Sequence, residues 1–335
     1  MSKIRKIFFM LRKLKRDLFN RSDLHIAADI QSMELKEYYL VFEDNPKKLN
    51  RLIVDFDENG IPMNTTYIDV EEKKLHYYPI SIGQFALAIF HNWLQTGNIE
   101  KKEHFLRIAK WFYYSRTEDS ELGTYWLTDV PKPEHQITSA WKSAFSQSRA
   151  LSVLLRAWQL TNDDKYLEVC KKALIPFTKD IKEGGVAIWR KAGETFYEEY
   201  VAKYPTRVID GHIFSLFGLY DFVRAVPPEL DIESHELAKK LFNEGVNGLA
   251  NQWKKLDLGF WIRYSLSEVP GYPVDDPCTV SYLRLIGTQL RVLKDLHSNP
   301  EIVRFYEKIK SVDNFTNILK MYRLKFKSLK KLNRL

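Results

Sequence analysis

One connection of the chain reads Tyr197-Glu198-Glu199-Tyr200, two carboxylates held between two phenols. These are side chains that take a proton from a substrate atom or return one to it. Trp189-Arg190 stands just before them and Tyr204-Pro205 just after. A second cluster is Phe260-Trp261-Ile262-Arg263-Tyr264, a third centres on Tyr282, and Tyr77-Tyr78-Pro79 makes a fourth. Aromatic residues at helix mouths suit a sugar-binding groove, where pyranose faces stack on rings and hydroxyls take hydrogen bonds. A single tyrosine is more often a packing residue with a wet hydroxyl. The constellation therefore carries the reading.

The elements that must hold these residues are mostly helical, and they repeat. Leu94-Gln95-Thr96-Gly97-Asn98, Leu160-Thr161-Asn162-Asp163 and Leu296-His297-Ser298-Asn299-Pro300 each end one long apolar-periodic run with a polar turn and open another with a cap-type residue. Val226-Pro227-Pro228-Glu229 makes a fourth such junction. A period of about 65 residues signals a closed or stacked array of helix pairs. The expected fold is mainly α, an (α/α) toroid of four helix pairs. Its inner helices are expected near 80–95, 141–160, 208–225 and 279–296, each followed by an outer one. The long connections 115–140, 182–207 and 255–278 are then the segments that carry the site. Ahead of the array, Tyr38–Phe42 and Leu52–Phe56 are short β-rich runs separated by turn residues, which predicts a small hairpin or meander packed on the helical array. The expected divisions are 1–33 as a basic amphipathic segment, 34–78 as the β region, 79–312 as the toroid and 313–335 as a basic C-terminal helix.

Charge is distributed unevenly. The 335 residues carry a net charge of +8, yet residues 2–21 hold eight basic residues and one acid, and residues 317–335 hold seven basic residues and no acid. The remainder has 36 basic and 42 acidic residues, a body of about −6. A uniformly basic nucleic-acid surface is thereby disfavoured. Both tails are amphipathic, with Ile4, Ile7, Phe8, Leu11, Leu14 and Leu18 at helical spacing in one and Tyr322, Phe326, Leu329 and Leu332 in the other. They read equally as anchors on an anionic membrane surface or as terminal helices laid over the body with their lysines in solvent. The run Ile7–Leu11 is too short for a signal-peptide core or a membrane span. The expectation is a cytoplasmic protein, peripheral to the membrane if the tails anchor it. Cys170 and Cys278 lie far apart and make no metal-ligand spacing. No phosphate loop or dinucleotide fingerprint is visible, so no cofactor and no metal are expected.

Several motifs in the same order resemble the glucuronyl C5-epimerase family. They are Gly60-Ile61-Pro62, Tyr77-Tyr78-Pro79-Ile80-Ser81-Ile82-Gly83-Gln84, Trp141–Gln147 with Leu155-Arg156-Ala157, Tyr197–Tyr200 with Gly211 and Ser215–Asp221, then Arg263, and Tyr282 with Gln289-Leu290. The resemblance runs from about residue 59 to 310, and an asparagine of the family before Gly211 is here Asp210. It implies cofactor-free epimerisation at C5 of D-glucuronate to L-iduronate in a heparosan-like acidic polysaccharide. By correspondence Glu199, Tyr200 and Tyr282 fall on the family's catalytic positions, and Arg263 falls where a cation would bind the uronate carboxylate. Tyr78, Gln147, Tyr197, Trp261, Tyr264 and Arg190 are the further substrate-binding candidates. Whether Glu199 is the base or orients a reacting tyrosine stays open, and a homodimer is left open too.

Two other classes of function fit the same residues. A polysaccharide lyase shares the first step, removal of the C5 proton, and then expels the substituent at C4. A homologue that has lost its chemistry would bind glycan without turnover.

Overall fold

The computed structural model describes residues 12–19, 24–67, 70–189 and 193–332. Residues 12–19 form helix α1. Two-residue strands β1 (His25–Ile26) and β2 (Leu40–Val41) then pair antiparallel, followed by the single-turn helix α2 (Pro46–Leu49). Strands β3 (Ile53–Phe56), β4 (Pro62–Thr65) and β5 (Leu75–Tyr77) make an antiparallel meander. Of the two runs expected to pair, Leu52–Phe56 lies in it, while Tyr38–Phe42 pairs instead with His25–Ile26 in a separate sheet. The helical array begins with α3 (Pro79–Thr96) and α4 (Ile99–Ser115), and the hairpin β6 (Thr117–Asp119) with β7 (Gly123–Tyr125) comes after them. Next come α5 (Ala144–Thr161) and α6 (Lys165–Lys172), then the hairpin β8 (Ala187–Ile188) with β9 (Phe196–Tyr197). The chain finishes with α7 (Ile209–Ala225), α8 (Ile232–Leu256), α9 (Val280–Leu296), α10 (Pro300–Val312) and α11 (Phe315–Lys331). No helix among the described residues is long and apolar enough to cross a membrane.

Local cap chemistry sets the helix ends where the junctions were read. Gly97 closes α3 in the left-handed region (φ 69°), its N–H donating to the Trp93 carbonyl, and the Asn98 side chain opens α4 by accepting from Glu100 N–H. Ser143 caps α5 and Asn162 closes it at φ 52°. Asp231, Thr279, Asn299 and Asn314 cap α8, α9, α10 and α11 in the same way. One outer helix departs from expectation: α6 stops at Lys172 and gives way to a 3-10 turn containing Pro176, whose ring cannot continue the ladder.

Helices α3, α5, α7 and α9 pack side by side in chain order, with α4, α6, α8 and α10 each laid against its own inner partner. Helix α5 is buried at every position from Ala144 to Ala157, and α7 is nearly as enclosed. Their patterns are largely apolar or compact all round, and polar exceptions such as Arg156 find partners inside, Arg156 pairing with Asp221 across the two helices at 2.8 Å. The α5–α7 contact is close because Gly218 has no side chain: a Cβ there would lie 2.5 Å from the Ser148 Cα. The meander rides on α3 through Asn64 and Asn50, whose amides donate to Ser81 Oγ at 3.0 and 2.8 Å. Tyr38 and Tyr39 are wholly buried against Phe217 of α7, and Tyr38 lies over the Arg149 guanidinium. The β region is therefore built into the helical core.

Substituting Gly218→Val inserts a branched side chain where backbone already sits. We expect a loss of about 1–3 kcal/mol in stability, read as a lowered urea midpoint with an unchanged slope.

Candidate functional site

The loop after β9 is fixed by one buried carboxyl. Glu198 has no solvent contact; it accepts from the Thr206 N–H (2.9 Å), the Thr206 hydroxyl and the Arg207 N–H (2.9 Å). Its own backbone is pinned on both sides, by Glu198 N–H to Val186 O (2.8 Å) and Ala144 N–H to Glu198 O (2.8 Å). Burial raises the Glu198 carboxyl to about 7, with the Thr206 and Arg207 donors pulling the other way. Arg207 takes a left-handed φ of 42° to close the loop, and its guanidinium pairs with Gln252 and Glu268.

That clamp presents Glu199 and Tyr200 to the N-terminal ends of the inner helices. Glu199 is buried and lies against Gly211 of α7, so tightly that a Cβ there would be 2.5 Å from its Oε2. Its Oε2 has no hydrogen-bond partner among the described residues. Burial lifts Glu199 to about 7, against the pull of the Tyr200 side chain and the Lys132 ammonium. Asp210, in the first turn of α7, is also buried with Oδ1 unpartnered among the described residues. Burial and then the neighbouring Glu199 push it well above the carboxylate range. The charge of Glu199 disfavours ionisation of Asp210, so the two carboxyls resist being charged together.

The nearest cation is Lys132. It sits in a tight turn, Lys132 pairing with Ile137 through N–H to O bonds of 2.9 and 3.2 Å around the 3-10 turn Pro133–His135. Its Nζ is 2.9 Å from Glu134 Oε1, 3.7 Å from the centroid of Tyr67 and 4.6 Å from that of Tyr200. Burial works against its charge, yet Tyr67, Glu134 and Glu199 outweigh it and its pKa is raised. Rings wall this group. Tyr200 is 5.2 Å from Trp141 and 4.9 Å from His135, and Trp141 is 6.1 Å from Tyr78. The Tyr78 and Tyr67 hydroxyls are 2.6 Å apart. On the α9 side Tyr282 stacks edge-on against Tyr264 at 5.4 Å and keeps 37% of its surface exposed. Burial first, then Asp210 and Glu199, push the Tyr282 phenol well up, and burial does the same for Tyr78, Tyr200 and Tyr264. These phenols rest protonated at neutral pH.

Of the residues singled out in the sequence, Glu199, Tyr200, Tyr282, Tyr78 and Tyr264 meet here. Others do not. Gln147 is buried with its amide spent on Trp126 N–H, Thr124 O and Ala173 O. Tyr197 is buried with its hydroxyl on Leu241 O (2.6 Å), and Trp261 with its indole N–H on Cys278 O (2.8 Å). All three act as internal struts because their polar atoms satisfy buried backbone. Arg263 gives Nε to Val274 O, Nη1 to Lys255 O and Nη2 to Asp275, so its fork is committed to its own loop and not to a carboxylate in the mouth. Arg190 lies outside the described residues. Sequence reasoning passed over Lys132, Glu134 and His135. Their one signal is a short charged run, Lys132 between Pro131 and Pro133 with Glu134 and His135 after it, bracketed by the apolar Val130 and Ile137.

Raised carboxyls have a stability signature. Glu198 and Glu199 release their protons near 7 when folded but near 4.5 in an unfolded chain. The unfolded state therefore binds fewer protons between those values, and stability falls as pH rises from about 4.5 to about 7. Urea unfolding across that window should show the decline, and Glu199→Gln should flatten it.

Residues 123–311 match the family described as the D-glucuronyl C5-epimerase C-terminus. The chain is 34% identical over 183 residues to the D-glucuronyl C5-epimerase of Caenorhabditis elegans, which covers 52% of this chain and 29% of that protein. It is 22% identical over 186 residues to an uncharacterised protein of Methanocaldococcus jannaschii, covering 55% of this chain and 56% of the other. The chain thus spans less than two thirds of the length of either relative.

Proposed function

Because this chain belongs to the D-glucuronyl C5-epimerase family, we propose that it inverts C5 of D-glucuronate to L-iduronate within a heparosan-like polymer by proton transfer on two faces of the ring. The observation that carries this reading is the pairing, within one ring-walled cluster, of a buried carboxyl raised to about 7 that has an unpartnered oxygen (Glu199) with a partly exposed tyrosine (Tyr282). The proton on C5 is barely acidic because its removal sets a second negative charge beside the uronate carboxylate. Lys132 and the N-terminal ends of α3, α5, α7 and α9 supply the positive potential that offsets it.

In this scheme Glu199 takes the C5 proton and Tyr282 delivers one to the opposite face. A phenol that rests protonated is no resting base, and its raised pKa makes it a weak acid that yields its proton only to a strongly basic centre such as the C5 carbanion, which assigns the roles in that order. Asp210 stays protonated beside Glu199 and keeps a second negative charge out of the site. Tyr200 lies between Glu199 and Lys132 and orients the base. The exposed part of Tyr282 lets it recover a proton from solvent after turnover. The steps draw on side chains alone, without cofactor or metal.

We also infer that the four pairs close into an (α/α) toroid. Tyr78 ahead of α3 and Tyr282 on α9 lie close enough to influence each other's ionisation, which supports the first and last inner helices meeting at the mouth. Two buried free cysteines, Cys170 and Cys278, support a reducing, cytoplasmic setting.

Incubation with a glucuronate polymer in D₂O should place deuterium at C5, and Glu199→Gln or Tyr282→Phe should each slow that exchange by about 10²–10⁴-fold with polymer binding retained. Products carrying a C4–C5 double bond, seen by their ultraviolet absorbance, would reassign the reaction to elimination. Retained binding without exchange in the wild type would make the protein a glycan binder. Lys132→Met should cost about 10²–10³-fold and move the acid limb of the pH–rate profile upward, since Glu199 loses the charge that favours its ionisation. Lys132→Arg should restore the limb.

A further inference from the structure

Helix α11 does not hide its apolar residues as a terminal helix laid over a body should. Ile318, Met321 and Ser328 face the body and are buried. Phe315, Leu319 and Phe326 share a different stripe at three-four spacing and are 57%, 43% and 52% exposed. Arg323 and Lys330 run along the edge of that stripe, with Lys320, Lys327 and Lys331 beyond them, all exposed. Helix α1 lies against α11: the Tyr322 hydroxyl donates to Asp17 Oδ2 (2.7 Å) and Lys13 sits over the Tyr322 ring. It adds exposed Phe19, Arg12, Lys15 and Arg16. The acid of this pair of segments, Asp17, is buried and neutralised by Lys13. The outward face of residues 12–19 and 315–332 therefore shows cations and large apolar groups and no carboxylate.

We propose that this face docks on the surface of an anionic lipid bilayer. The composition selects the partner. Lysine and arginine stand in the headgroup layer while phenylalanine and leucine enter the acyl boundary, the arrangement of an interfacial amphipathic helix. A second copy of the chain would set like charges against each other. A polyanionic glycan would satisfy the cations and stack on Phe315 and Phe326, but it has no use for the aliphatic Leu319 between them on a convex helix surface. The face is rigidly joined to the mouth described above. Lys325 of α11 is 2.7 Å from Asp276 and 5.8 Å from the Tyr264 ring, which stacks on Tyr282. Docking holds that mouth beside the headgroups. The proposal stands whether or not the chain is an epimerase.

The test is co-sedimentation of the full chain with vesicles of phosphatidylcholine, with and without phosphatidylglycerol. Binding is expected only with phosphatidylglycerol and should weaken as salt rises. Each of Lys320→Gln, Arg323→Gln and Lys330→Gln should lower partitioning by about fivefold, the equivalent of about 1 kcal/mol. The triple variant Phe315→Ser, Leu319→Ser, Phe326→Ser should reduce it at least as far while keeping the wild-type circular dichroism and melting temperature. Failure to bind phosphatidylglycerol vesicles at low salt would overturn the proposal. So would loss of binding in the charge variants with full binding in the triple serine variant, which would mark a purely electrostatic, polyanion-type surface. A concentration-dependent dimer abolished by the serine substitutions, with vesicle binding unaffected, would assign the face to a second copy instead.

Discussion

A carboxyl group taken wholly out of water must find its hydrogen bonds in the protein, and Glu198 finds them across its own loop. Thr206 and Arg207 can donate to it only if residues 198–207 fold back on themselves, and Arg207 accepts a left-handed backbone to make that possible. Losing one of these bonds would strand a buried donor or acceptor at a cost of about 1–3 kcal/mol. The neighbouring residue inherits the precision. Glu199 comes directly after Glu198, so the side chain with an uncommitted oxygen is carried on a backbone that has little freedom. The clamp also ties the β8–β9 hairpin to the start of α5 through Val186 and Ala144. One fully hydrogen-bonded acid thus sets the position of a neighbouring acid that keeps an uncommitted oxygen.

The electrostatics of the mouth arise from crowding weakly acidic groups around a single ammonium. Lys132 faces Glu134, Glu199 and two phenols, so its charge is shared before any ligand arrives. Glu199 and Asp210 compete for the remainder, and Glu199 ionises first because Lys132 influences it directly. The tyrosines stay neutral for want of water. Unequal burial and neighbouring charge separate the pKa of Glu199 from those of the tyrosines around it.

Several helix ends were legible in the sequence because capping is local: Gly97, Asn98, Asn162 and Asn299 act on backbone within a turn of themselves. The β character of Leu52–Phe56 was legible for the same reason, but its partners Pro62–Thr65 and Leu75–Tyr77, and the pairing of Tyr38–Phe42 with His25–Ile26, depend on longer-range contacts. Site residues divided along another line. Glu199, Tyr200 and Tyr282, singled out through the family resemblance, and Tyr78 and Tyr264, singled out with the aromatic clusters, are brought near one another in the structure. Gln147, Tyr197 and Trp261 share those types and neighbourhoods, and the difference is a long-range carbonyl, such as Leu241 O for Tyr197, that no local pattern announces. Arg263 is similar: its fork is filled by two backbone carbonyls and Asp275. Lys132 was missed because a lysine in a proline-bracketed turn reads as a solvated charge until the fold buries it.

The segment Tyr38–Phe42 is seated in the helical array, with its two phenol rings packed on α7 and Arg149 enclosed by Tyr38, Phe42, Phe145 and Phe214. The guanidinium has no hydrogen-bond partner among the described residues, so those rings are its solvation. A boundary drawn at residue 78 is therefore a boundary in sequence and not in thermodynamics. Helices α5 and α7 cannot bury Arg149 until a stretch more than a hundred residues upstream has threaded in beside it. Contacts spanning that much chain raise the contact order of the fold, which slows folding relative to a helical array with local contacts alone.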